Sequence, residues 1–188
     1  MSTISPETSR YIADISGIHQ MGFLEAPVSG SVKPAQDGTL IILVGGSAEN
    51  YEKAKPLFDV LGKSSILLGE IGAGSCAKLA INYLLGLNIQ GLAETVLFAE
   101  KNGVSREDML SIVNQGACGN GITNIKTASL LSNEYPAAFA LKHLHKDLNL
   151  AKNEGLNSPL SYPLLESFEK ALNNGLGEQD VMAIIKSL

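Results

Sequence analysis

Lys78 stands near the start of the most apolar stretch of the chain, where an ammonium is costly unless it has a partner or a task. Asn82 follows four residues later, and on a helix that spacing puts both side chains on one face. Such a pair can present donors to a carbonyl or hydroxyl oxygen, with Lys78 giving a proton in reduction and taking one in oxidation. The same two residues also fit a lysine snorkelling to water beside an asparagine bonded to backbone. Ser29-Gly30-Ser31 could offer hydroxyls and backbone N–H groups to a substrate carboxylate, or form an ordinary turn. Lys142, His143, His145 and Lys146 crowd one segment, where a solvated basic face is the commoner meaning. His143 and His145 point to different sides of a helix, so no metal-ligand set is expected.

The elements that must position these residues fall into two groups. Ser5-Pro6-Glu7 starts a helix that ends before Gly22. Phe23 to Val28 and Thr39 to Val44 are short branched or aromatic runs bounded by Gly, Ser and Pro, and read as strands. Ser47 caps a helix in which Tyr51, Ala54, Phe58 and Leu61 share a face, and Gly62 stops it before a third strand, Ser64 to Leu68. Near residue 70 the character changes, and only helical spacing follows. A helix from about Ser75 to Lys101 is apolar on nearly all sides and ends at Asn102-Gly103. Further helices are expected over 105–114, 121–131, 141–154, 161–173 and 178–188. The fold class is therefore α/β followed by all-α, with the boundary between residues 1–70 and 71–188.

Composition limits the function. With 45% hydrophobic and 18% charged residues the chain can pack a core, and a net charge of −5 with scattered lysines disfavours nucleic acid. Leu79 to Ala93 is uncharged but too short and too rich in amides to span a membrane. Cys76 and Cys118 make no CxxC or Cys/His spacing, and the first residues carry no export signal, so a reducing cytoplasm is the simplest setting. The all-round apolar helix implies self-association into a dimer or larger. No GxGxxG hexapeptide occurs, and Gly72-Ala73-Gly74 and Gly119-Asn120-Gly121 read as turns.

Three segments align with one family. FLEAPVSGSVKPAQDGTLIILVGG (23–46) resembles the substrate-binding signature of the β-hydroxyacid dehydrogenases, and GEIGAGSCAKLAINYLLG (69–86) resembles their catalytic-lysine signature. FALKHLHKDLNLA (139–151) is similar to their third motif, and the wording is nearest the glyoxylate and succinic semialdehyde reductase branch. The resemblance covers essentially the whole chain. It implies an incomplete Rossmann-type domain in residues 1–70 and a helical, 6-phosphogluconate dehydrogenase-like domain for substrate and dimerisation in 71–188. Ile81 stands where many members carry a second Asn. The family's glycine-rich first βαβ unit, and the residues that select NADPH over NADH, are not present. The expectation is a truncated product, a fragment or a short member that does not bind the cofactor tightly alone.

By matching position, the resemblance implies Lys78 as the acid/base and Asn82 as its neighbour. It places Thr3, Ser29 and Gly30 on the substrate carboxylate, Phe139 and Asp147 on the substrate from the helical domain, and Lys146 on the cofactor. The implied function is NADPH-dependent reduction of small aldehyde or keto acids, glyoxylate and succinic semialdehyde among them. The alternatives are a non-catalytic remnant kept as a dimerisation module, and 3-hydroxyisobutyrate dehydrogenase.

Overall fold

The computed structural model describes residues 1–188 and divides into two compact units, residues 1–81 with 150–156 and residues 82–149 with 157–188. The first unit opens with α1 (Pro6–Ile18), whose N-cap Ser5 accepts from the Thr8 N–H at 3.0 Å, while Pro6 fills a first-turn position that needs no donor. Then come β1 (Leu24–Glu25), β2 (Val28–Ser29), a short α2 (Val32–Gln36), β3 (Leu40–Gly46), α3 (Ala48–Leu61) and β4 (Gly62–Gly69). β3 is the hub of the sheet, antiparallel to β1 and β2 and parallel to β4. A parallel pair cannot be closed by a tight turn, and α3, capped by Ser47, supplies the crossover.

Two features of this unit differ from the sequence reading. The run expected as one strand over 23–28 is two, because Pro27 has no N–H to give the ladder. Its carbonyl accepts from the Leu43 N–H at 2.8 Å and holds the break against β3. The second is α2, too short to show a period. The core here is small: Ile42 and Val44 of β3 are fully buried and pack with Ala26 and Phe58.

α4 (Ala73–Lys101) spans 29 residues, about 43 Å at the usual rise, and Gly103 at φ 85° follows its end. In the second unit come α5 (Arg106–Gln115), capped by Ser105, and α6 (Gly121–Ser132), opened by a reciprocal Asn120–Thr123 capping box. α7 (Leu141–Asn153) and α8 (Ser161–Ala171) complete the α-helices. The helix expected to reach residue 173 instead gives way to a π turn, Leu172–Leu176, around Gly175 at φ 78°. The last segment is a 3₁₀ helix, Val181–Ser187, rather than an α-helix over 178–188. Asp180 starts it by accepting from the Met182 N–H, and Val181 through Ile185 are all buried. Ile89, Val96, Leu130, Leu144, Phe168 and Ile184 are fully buried in the larger core. No helix is long and apolar enough to cross a membrane.

Candidate active site

The first turn of α4 is built around a residue that sequence reasoning passed over. Glu25, on β1, is 5% exposed, and its Oε1 accepts from the N–H groups of Gly72 (2.7 Å), Gly74 (2.8 Å) and Ser75 (3.2 Å). Its Oε2 accepts from the Ser75 hydroxyl at 2.6 Å, and the Ser75 and Ser9 hydroxyls are 3.1 Å apart. Burial alone would raise the pKa of this carboxyl. The bonds from Ser75, Ser9 and the Ser75 and Gly72 backbone outweigh it, and the group is held below the ordinary carboxylate value. A negative charge here also meets the positive end of the helix dipole. The one signal in the sequence was an acid inside an otherwise apolar strand run.

Lys78 lies one turn beyond Ser75 on α4 and is half-buried. Ser29 ends β2, and Gly30 follows at φ 131°, where an added Cβ would meet Leu40 at 2.8 Å and Pro34 at 3.0 Å, so only glycine fits. Thr3 precedes α1 and is half-buried. These four belong to the first unit.

In the second unit the structure joins two predicted residues directly. Asn82 and Asp147 are both buried, at 3% and 2% exposure, and the Asn82 amide donates to Asp147 Oδ2 at 2.6 Å. Asp147 Oδ1 is 2.8 Å from Lys146 Nζ, an ion pair without hydrogen-bonding geometry, so that oxygen is buried with no hydrogen bond. Phe139 stacks on His143, ring centroids 6.4 Å apart, just before α7 begins. His145 bonds to Asn149, and no three His, Cys, Asp or Glu side chains come together in a metal-binding group. A groove of about 400 Å³ lined by Leu87, Leu92, Met109, Val113 and Cys118 contains none of the predicted residues.

A nicotinamide dinucleotide needs oriented N–H groups for its pyrophosphate, as a helix N-terminus supplies. In the first unit α1 and α3 are capped by Ser5 and Ser47, and the glycine-rich turn at Gly72–Ser75 already gives its donors to Glu25. At each of these three helix starts, donors that a pyrophosphate cradle would use are already engaged. Lys146, on α7, keeps a half-exposed side chain.

A family model described as NAD-binding of NADP-dependent 3-hydroxyisobutyrate dehydrogenase matches residues 72–188. One described as the NAD binding domain of 6-phosphogluconate dehydrogenase matches residues 1–72. The glyoxylate/succinic semialdehyde reductase 1 of Arabidopsis thaliana is 40% identical over 192 residues, 100% of this chain and 66% of its own length. Its chloroplastic counterpart, reductase 2, is 40% identical over 88% of this chain and 48% of its own length. The 3-hydroxyisobutyrate dehydrogenase of Pseudomonas aeruginosa is 35% identical over 87% of this chain and 57% of its own. The chain thus spans about two thirds of these relatives or less. The crystal structure of a 3-hydroxyisobutyrate dehydrogenase from Salmonella typhimurium superposes with a TM-score of 0.93 at 27% identity, over 100% of this chain and 67% of that one. The mixed α/β start, the helices that follow and these matches agree: the chain belongs to the 3-hydroxyisobutyrate dehydrogenase-like family of NAD(P)-dependent β-hydroxyacid dehydrogenases.

Proposed function

We propose that this chain is the substrate-binding and proton-transferring part of an NADPH-dependent reductase of small aldehyde or keto acids, with glyoxylate and succinic semialdehyde as substrates. One observation carries the reading: Lys78 is followed one helical turn later by Asn82, whose amide is locked by the buried Asp147. A nicotinamide held by a glycine-rich segment outside this sequence would supply the hydride. This chain's own share is the proton and the grip on the acid. Lys78 stabilises the oxyanion and gives it a proton. Thr3, Ser29 and Gly30 hold the carboxylate, Phe139 and Asp147 shape the substrate's surroundings, and Lys146 meets the cofactor. Residues 1–70 are then the remainder of the cofactor domain and 71–188 the helical substrate and dimerisation domain. Cys76 and Cys118 are free and exposed, which suits a reducing cytoplasm.

The test joins this chain to the part of the Arabidopsis thaliana glyoxylate/succinic semialdehyde reductase 1 that it does not match and follows NADPH consumption. Turnover of glyoxylate and succinic semialdehyde is expected. Preference for 3-hydroxyisobutyrate in the oxidising direction would move the assignment to that dehydrogenase. No turnover of any of them would identify a non-catalytic dimerisation module. The chain alone should bind NADPH weakly in calorimetry, and tight stoichiometric binding would overturn the cradle argument.

A further inference from the structure

Glu25 does more than cap the start of α4. β1 pairs it with Gly45 of β3, and an added Cβ at Gly45 would run into the Glu25 carboxylate. At Gly74 an added Cβ would meet the Leu43 carbonyl at 2.5 Å and the Gly45 nitrogen at 3.1 Å. Glycines at 45 and 74 therefore let the first turn of α4 lie directly on the backbone of β3, with the Glu25 carboxylate between them. The same β3 carries β2, with Ser29 opposite Ile41. Ser75, which donates both its backbone N–H and its hydroxyl to this carboxylate, is three residues from Lys78 and on its side of the helix.

We propose that Glu25 is a positioning residue that fixes the first turn of α4 against the β1–β3 strands, and so sets Lys78 relative to Ser29 and Gly30. The inference rests on the proposed role of Lys78. The bonding explains why a carboxylate is needed: one oxygen takes three N–H donors and the other a hydroxyl, so an acceptor-only group fits. Glutamine keeps the shape but loses the charge and turns a donor toward Ser75. Aspartate falls short by one C–C bond, about 1.5 Å.

The experiment is NMR of the whole chain as wild type, Glu25→Gln and Ser75→Ala, with turnover measured in the fused enzyme. In Glu25→Gln the amide protons of Gly72, Gly74 and Ser75 should move upfield. The Lys78 side-chain signals and the Ser29 and Gly30 amides should shift with them, while Leu144 in the other unit stays. Ser75→Ala, which deletes one hydroxyl, should give smaller shifts of the same signals and so decides the matter should Glu25→Gln not fold. In the fused enzyme Glu25→Gln should lose about 10-fold or more in kcat, the scale of misplacing a proton donor, with KM changed far less. Shifts confined to residues 72–75, with Lys78, Ser29 and Gly30 unmoved, would reduce Glu25 to a cap and overturn the proposal. Should the wild-type fusion reduce no aldehyde acid, the functional reading fails, and the NMR shifts still decide whether Glu25 positions Lys78.

Discussion

At the scale of single residues, hydride addition to a carbonyl carbon leaves an oxyanion, and a half-buried ammonium can stabilise it and protonate it. Replacing Lys78 with Ala in the fused enzyme should therefore lower turnover by roughly 100-fold or more, with cofactor affinity little changed. Lys78→Arg should be nearly as damaging, because guanidinium keeps its charge but holds its proton too tightly. Normal turnover with lost stability alone would make Lys78 a snorkelling helix residue. This lysine was legible in the sequence because it interrupts an apolar run. Glu25 was not, because an acid in a strand reads as solvated, and the donors that bury it lie 47 to 50 residues further on. The Asn82–Asp147 bond was legible only as two separate residues, since it spans 65 positions.

At the scale of elements, the caps carried the reading. Ser5 and Ser47 cap the helices that the sequence places after them, and the structure adds Ser105 and Asn120, which the sequence offers only as a helix edge and part of a turn, as the caps of α5 and α6. The C-terminus did not follow, since its conformation is set by a distant charge. Asp180 accepts from Lys126 at 2.7 Å and from the N–H groups of Met182, Ala138 and Phe139, which ties the turn before α7 to the final 3₁₀ helix. Lys126 is 7% exposed and Asp180 1%. In sequence, Lys126 is only one of the scattered lysines. Lys126→Met strands a buried carboxylate and should cost about 3–5 kcal/mol in denaturant unfolding, the range for breaking a buried pair. Replacing both residues with apolar ones of similar size should cost less. A surface-scale effect of under about 0.5 kcal/mol for Lys126→Met would show that the pair is not desolvated in solution.

At the scale of the whole molecule, Leu84 and Phe98 on α4, Ile112 on α5 and Ile125 on α6 are exposed. Apolar surface of this kind on consecutive helices should be covered by a second copy, and sedimentation is expected to find a dimer or larger. A folded monomer at micromolar concentration would count decisively against it. Stability should also be sensitive to acid. The Glu25 carboxyl sits below its ordinary value of 4.5 in the folded chain, so its contribution is complete above that pH and fades as pH falls through the folded-state value. Glu100, lowered by its hydrogen bond to Arg106, acts with the same sign but is more open to solvent. The thermal midpoint should be level above about pH 5 and fall below it, with a shallower fall in Glu25→Gln.

The turn at Gly72–Ser75 has the makings of an anion receptor, and the chain satisfies it from within: Glu25 behaves as a tethered ligand. Its effective concentration is set by the sheet, so dissolved anions cannot compete, and sulfate or formate should leave the wild type's thermal midpoint unmoved by this route. Cutting the tether changes that. Glu25→Gly empties the place while keeping the donors of Gly72, Gly74 and Ser75 in the chain for an anion to gather again, so millimolar formate should restore part of the lost midpoint, whereas a neutral amide of the same size, formamide, should restore less. Equal rescue by both would mean that the turn recognises shape rather than charge.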